Sequence, residues 1–306
     1  MDNYFSMRNL LLIFLLLFLY SCYNKPESTI MVWNYDDFIE KSLKVSDIAD
    51  EMTIIQPESI DYQRGEITHA TSFFLVGTEQ GVLKYNNEGH LIGRIGSIGQ
   101  GPGEYVGSYT TAINEIDSII YVYCQDNSKL LSFSYDGFFL SKHSVQLPKE
   151  WAWKFYHLKD RLYFYYTVIA GESSPYIYAI TDTIGNLLSL KRDESLHFAQ
   201  GNYYSFSSTN LGCLGDTMLV WNQYSDTIYR VSEKGEEPVA MWGKWNPLFF
   251  PYNYFVIDGR EYLEAIYQPY ELVDAWLASD DPKIREQAKS IDEEGNNVLI
   301  RIRLKK

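Results

Sequence analysis

The sequence predicts an all-β chain and, within that class, a β-propeller of four-stranded blades. Three observations carry the prediction. Four glycines, Gly89, Gly137, Gly185 and Gly235, fall 48, 48 and 50 residues apart, each after a β-prone run and a polar turn. Self-similarity at about 40–50 residues, with several short strands per unit, is the signature of propeller blades. Tyrosine is the compositional outlier, with 26 copies beside 16 phenylalanines and 7 tryptophans; aromatic side chains suit pleated, half-buried surfaces. The turns are rich in Asn, Asp, Ser and Gly, the residues that adopt or stabilise the backbone of tight hairpins. Four units are clear, and residues 23–60 with 244–304 can supply a fifth.

Residues 1–21 read as a lipoprotein signal peptide. Arg8 precedes an apolar run from Leu10 to Tyr20, closed by Ser21-Cys22. Eleven apolar residues fall short of the ~20 that a membrane-spanning helix needs, whereas a basic start, a short apolar stretch and a small residue at the cut make a secretory signal. Leu19-Tyr20-Ser21-Cys22 resembles a bacterial lipobox, with Tyr20 bulkier than usual there. Cys22 is thus the expected lipidation site, and diacylation supplies the two chains that stable anchoring requires. The alternative is an ordinary signal peptide with a chance cysteine. Residues 22–44 are expected to be a tether, with an edge strand around Thr29–Trp33.

The propeller domain is expected over 45–304. Ser46–Asp50 suggests a capped turn, and Met52–Ile55 a strand ended by Pro57. Unit one comprises Phe73–Val76, Val82–Tyr85 and Leu91–Ile95; unit two Ile119–Tyr123, Leu130–Phe133 and Phe138–Leu140. Unit three comprises Leu162–Thr167, Tyr176–Ile180 and Leu187–Leu190, its turn before Gly185 reading one residue longer; unit four Met218–Trp221, Thr227–Val231 and Val239–Trp242. A helical segment is expected over 260–291. Leu263, Ile266, Tyr267, Leu272, Val273, Trp276 and Leu277 suit one helical face, with Pro269 as a break or kink. Asp281-Pro282 starts a second helix. Val298–Leu304 alternates as a terminal strand, expected to complete a blade begun near the N-terminus, because closing the ring removes exposed edges.

The formal net charge of −14 repels phosphate backbones, which argues against nucleic acid as a partner. Cys124 and Cys213 either pair in an oxidising compartment or are two buried thiols, and their β-prone surroundings favour the latter.

The glycine-rich run Gly93–Tyr105 has no helix directly after it, with Pro102 intervening, and no P-loop lysine and hydroxyl. A dinucleotide-binding loop needs a helix opening directly after it, and a P-loop needs that lysine and hydroxyl as well. The run is therefore read as a tight crossing between blades, where glycines allow close backbone approach. Within it, Gly99-Gln100-Gly101-Pro102-Gly103-Glu104-Tyr105 resembles a motif of the six-bladed β-propeller lipoproteins of Gram-negative gut anaerobes. Ser46-Asp47-Ile48, Asp226-Thr227-Ile228-Tyr229 and Asn296-Asn297-Val298-Leu299 resemble other segments of that family. The resemblance implies a six-bladed, lipid-anchored propeller without a settled activity. The chain departs from it by passing almost directly from Trp242-Gly243-Lys244-Trp245 to the terminal helices, as though shortened in its later blades.

Three function classes follow. A metal-dependent propeller hydrolase of lactonase type would need convergent acids and amides, for which Glu104, Asp126, Asn127 and Asp226 are the candidates. Turn residues of this kind are usually turn formers, the five histidines are scattered, and no Gly-x-Ser-x-Gly elbow occurs; no catalytic residue, metal or cofactor is expected. A binding module needs only loops on a rigid ring, with Trp151 and Trp153, in the connection Pro148–Trp153, as the best candidates to stack on a sugar. A structural accessory of an outer-membrane uptake complex would dock through the helical segment. The expectation is an envelope lipoprotein, in the outer membrane, that binds a carbohydrate or an envelope protein.

Overall fold

The computed structural model describes residues 31–34, 49–58, 67–78, 81–107, 109–148, 152–169, 176–192, 206–222, 227–244, 253–257, 259–279 and 282–304. Strands β1 (Met31–Asn34) and β2 (Ala49–Ile55) precede the first complete blade, which comprises β3 (Ile67–His69), β4 (Phe73–Thr78), β5 (Gly81–Asn86) and β6 (Leu91–Ile95). Two short parallel strands, β7 (Ser97–Ile98) and β8 (Glu104–Tyr105), lead to blade two: β9 (Tyr109–Asn114), β10 (Ile119–Cys124), β11 (Lys129–Ser134) and β12 (Phe139–Ser144). Blade three is β13 (Ala152–Leu158), β14 (Arg161–Ile169), β15 (Tyr176–Asp182) and β16 (Leu187–Arg192). Blade four is β17 (Phe206–Leu214), β18 (Thr217–Asn222), β19 (Thr227–Ser232) and β20 (Gly235–Lys244). The fifth is β21 (Asn253–Ile257) and β22 (Arg260–Tyr267), then helices α1 (Pro269–Leu277) and α2 (Pro282–Ala288), then β23 (Val298–Leu304).

That last blade is completed from the other end of the chain. Strand β2 pairs antiparallel with β23, Ile55 facing Leu299 and Met52 facing Ile302, so its outermost strand is N-terminal and its other three are C-terminal. Among the described residues the ring thus has five four-stranded blades rather than the six that the family resemblance implied. Blades three and four are further joined where β14 runs on to pair with β17 (Thr167 with Ser208). Strand β1 adds itself in parallel to the free edge of β20.

The core lies between neighbouring blades. One cluster packs Phe73, Val82 and Tyr105 against Val122 and Phe133, and the next packs Tyr123 against Phe155 and Phe164. The last two rings stack at 4.9 Å between centroids. Burying one such ring contributes roughly 1.5–3 kcal/mol, so stacked aromatic layers stabilise a wheel whose blades share no single interior. Helices α1 and α2 pack on the fifth blade, with Trp276 and Ala288 against Ile300 and Ile302.

The 48-residue period has a local cause. In blades one to four the turn into the outermost strand begins with Asn86, Ser134, Asp182 or Ser232 and places Gly89, Gly137, Gly185 or Gly235 three residues on. The first residue's side-chain oxygen accepts amide hydrogen bonds inside its turn, for example Asn86 Oδ1 from Glu88 and His90 at 3.1 and 2.9 Å. Asp182 does the same for Ile184 and Asn186, Ser134 for Phe138, and Ser232 for Lys234. The glycines take φ of +92°, +84°, +91° and +124°, where a side chain is strained. In blades one to three the hairpin also bulges two residues before its turn, after Lys84, Ser132 and Ile180, whereas in blade four the bulge falls after Ile228, four residues before Ser232. We call this the outer turn.

Several expectations are corrected. The outer turn before Gly185 is no longer than the others, since Asp182 precedes it by the same three residues. Residues Tyr262–Tyr267 are strand rather than helix, because β22 pairs along its length with β23; Pro269 starts α1 rather than kinking it, as its fixed φ favours the first helical position. Residues Ala49–Asp50 begin β2 rather than forming a turn. Each of the four repeated units also has an innermost strand that the periodicity passed over.

Candidate functional site

The glycine-rich segment is brought together as a compact knot between blades one and two. Gly99, Gly101, Pro102, Gly103, Glu104 and Tyr105 all lie in it. Its turn is closed by Glu104 N donating to Gly101 O at 3.2 Å, and Gly99 N donates to Tyr105 O at 3.0 Å. The Glu104 carboxylate folds back to accept from Gly101 N at 2.7 Å. A Cβ at Gly99 would lie 2.1 Å from that carboxylate, so any side chain there would expel it. From blade two, Lys142 Nζ donates to the carbonyls of Gly101 and Glu104, both at 3.2 Å.

Tyr105 ties the knot to blade one. Its ring is buried, and its hydroxyl accepts from Val82 N at 2.8 Å and donates to Ile95 O at 2.7 Å. Burial pushes the phenol up to about 12, which keeps it a donor at ordinary pH. The motif is thus a structural crossing, with every polar group named above turned inward.

Other sequence candidates disperse. Asp126 and Asn127 are exposed in the turn between β10 and β11, and the Asp126 carboxylate occupies the space a Gly107 side chain would take. Glu104 is held at Gly101, so it does not converge with them. Cys22, Trp151 and Asp226 lie outside the described residues. Trp153 falls on β13, the innermost strand of blade three, rather than in a connection. Cys124 is buried and Cys213 half-buried, both as free thiols, and burial pushes each up to about 11. Among the described residues no group of three or more His, Cys, Asp or Glu side chains is placed to hold a metal ion, and no helix is long and apolar enough to cross a membrane.

The sequence reading missed one buried ionic cluster. Glu264 of β22 stands opposite Arg301 of β23 and accepts from its Nε and Nη2 at 3.1 and 3.0 Å. The other carboxylate oxygen lies 2.7 Å from His69 Nε2, at the end of β3. The Glu264 side chain has no solvent exposure, and those of His69 and Arg301 retain 7% and 8%. Burial raises the Glu264 carboxyl, but His69 and Arg301 more than offset it and hold it below the ordinary carboxylate value. The cluster bonds the fifth blade to the first, at the seam where the ring closes. Enclosed this way, the charged pair acts as a clamp between the two blades. The sequence carries no signal for it: Arg301 and Arg303 alternate with Ile300, Ile302 and Leu304 along β23, a pattern that reads as a solvated face, and Arg301 is nonetheless turned into the seam.

Fold and crossing together define a five-bladed propeller scaffold, closed by its N-terminal strand. The chain belongs to the DUF4934 family, a domain of unknown function, whose profile matches residues 30–242. No curated protein matches the sequence. Among solved structures, a Bacteroides fragilis protein described as exported aligns over 91% of this chain and all of its own length, at 15% identity and a TM-score of 0.63. A member of the DUF4221 family from Bacteroides vulgatus aligns over 62% of this chain and 61% of its own, at 11% identity and a TM-score of 0.43.

Proposed function

We propose that the chain is a lipid-anchored protein of the cell envelope, held in the outer membrane, whose propeller binds a ligand or protein partner without catalysis. The observation that carries the non-catalytic reading is the Glu104 carboxylate, closed on the Gly101 amide at 2.7 Å. The one carboxylate of the most specific motif builds the blade crossing instead of facing a substrate. Anchoring is supported by Arg8, the apolar run and Cys22, with residues 1–21 as signal, 22–44 as tether and 45–304 as the domain. The partner classes are a carbohydrate, met by Trp151 and Trp153, or an envelope protein. A specific observation favours the latter for the helical segment: α1 leaves Tyr270 and Leu277 about half exposed, although an amphipathic helix on a blade buries its apolar side.

The test uses purified full-length protein. Tryptophan emission is titrated against an oligosaccharide panel, with Trp151→Ala and Trp153→Ala as controls, and bound divalent metal is measured alongside. A saturable response lost in either variant supports sugar binding. Specific co-purification of an envelope protein, lost in Tyr270→Asp, supports the accessory role. Stoichiometric metal together with lactone hydrolysis overturns the non-catalytic reading.

A further inference from the structure

We propose that the propeller rests on the lipid bilayer through the rim that carries its outer turns, on blades one to three. The part of the argument that uses the tether rests on the anchor reading above; the apolar rim is an independent observation.

The first observation is the direction of β1. It pairs in parallel with β20, Met31 facing Ala240 and Asn34 facing Lys244. Strand β20 starts at Gly235, at the outer turn of blade four. β1 therefore runs away from the outer-turn face, and its N-terminal end points back toward it. Residues 23–30 separate Cys22 from Met31, and at ~3.3–3.6 Å per residue that length reaches at most about 30 Å. Roughly half of that span is the distance along β20 from Ala240 back to Gly235, at ~3.3 Å per residue. An acyl anchor on Cys22 then holds the outer-turn end of blade four close to the membrane surface.

The second observation is what the other blades display at that level. Immediately after their outer turns, Ile92, Leu140 and Leu188 are 52%, 52% and 43% exposed. They lie 48 residues apart, so they occupy the same place on three consecutive blades. Phe138 and Ile184 add 72% and 50% exposure at the turns themselves. The outermost strands of blades two and three, β12 and β16, share one pattern of exposure along their length. Single exposed apolar residues are ordinary, but a cluster repeated at one level marks an interaction surface. All outer turns face the same way in a propeller, so this rim and the end from which the tether arrives belong to one face.

A bilayer fits the surface because aromatic and aliphatic side chains partition into the headgroup boundary. The charges beside them are mixed: Glu88 and Asp136 in the turns, Arg94 and Lys191 on the strands. Apolar contact, rather than attraction to anionic lipid, is the driving term, and neutral lipid suffices.

The test places a single NBD label on full-length protein in a Cys213→Ser background, with Cys22 capped by its acyl chains or, where the N-terminal mass shows it free, replaced by Ser, bound to phosphatidylethanolamine–phosphatidylcholine vesicles. Leu140→Cys and Leu188→Cys probe the rim; Asn127→Cys, in the exposed turn between β10 and β11 on the opposite face, is the control. The expected result is a several-fold rise and blue shift in emission at both rim sites, quenched by doxyl-labelled lipid, with Asn127→Cys unchanged. Rim labels that stay unchanged, or a control that brightens equally, overturn the proposal. The mass of the N-terminal peptide reports acylation separately. An acylated protein with silent rim labels refutes the rim and leaves the anchor standing; an unacylated one whose rim labels respond refutes the anchor and upholds the rim.

Discussion

The Glu264 carboxylate lies 2.7 Å from His69 Nε2 while accepting two hydrogen bonds from Arg301, so one buried anion links the fifth blade to the first. Desolvating such a group is expensive, and an ion pair of this kind need not be more stable than a hydrophobic replacement of all three residues. Removing one partner is a different matter, because Arg301 is then left buried without its counter-ion. Glu264→Gln is expected to lower the unfolding free energy by about 3–5 kcal/mol, read by urea denaturation at neutral pH. The acid limb gives a second readout. Since the folded carboxyl is held below its ordinary value of 4.5, its contribution is fully present above that pH and is lost as pH falls through the depressed folded value. Wild-type stability should therefore drop below about pH 4.5 by an increment that the Gln variant lacks. An equal acid dependence in both proteins would show that the clamp is not ionised in the fold.

The outer-turn glycines give a prediction about how blades touch. A Cβ on Gly137 would lie 2.9 Å from the Arg94 carbonyl oxygen, in the outermost strand of the preceding blade, whereas a Cβ on Gly235 meets nothing within 4 Å among the described residues. Both have positive φ. Gly235→Ala is expected to cost only the backbone strain, about 1–3 kcal/mol, since its φ of +124° lies outside the left-handed well. Gly137→Ala adds a clash with a fixed backbone atom, worth a further ~1–3 kcal/mol. Denaturation midpoints of the two variants, measured at equal slope, decide the matter. A Gly137→Ala cost no larger than backbone strain alone, about 1–2 kcal/mol, would mean that the turn of blade two does not seat against blade one.

How far the sequence reveals the fold depends on which interactions are local. The outer turn is written in four neighbouring residues, Asn86 to Gly89 and its counterparts, so its period is visible without knowing any partner strand. The innermost strands have no such mark. Tyr109–Asn114 follows a glycine-rich knot, and Ala152–Leu158 follows Pro148 and two charged residues; each is fixed by pairing with the next strand of its own blade. Residues Arg260–Tyr267 misled for a related reason. A short apolar run fits both periods, and the register that decides it, Leu263 opposite Ile302, comes from a strand about 40 residues on. The Gly99–Tyr105 segment could be read as a crossing between blades, because no helix opens directly after its glycines and Pro102 interrupts them. The His69–Glu264–Arg301 clamp could not be read, because its members come from three strands of two blades and no spacing along the chain relates them.

The Tyr105 hydroxyl supplies the sharpest separation between scaffold and ligand site. Val82 and Ile95 face one another across the outer hairpin of blade one, and the hydroxyl sits between Val82 N and Ile95 O at 2.8 and 2.7 Å. Tyr105→Phe removes it with little change of shape and leaves a buried donor and a buried acceptor without that partner. The expected loss is about 1–3 kcal/mol, with faster hydrogen exchange of the Val82 amide. Because burial lifts the phenol to about 12, it keeps its proton over the whole range in which the protein is handled, and the loss should not vary between about pH 5 and 9. A ligand-contacting tyrosine would behave otherwise: its removal would weaken a binding response while leaving the unfolding curve and the Val82 amide as they were.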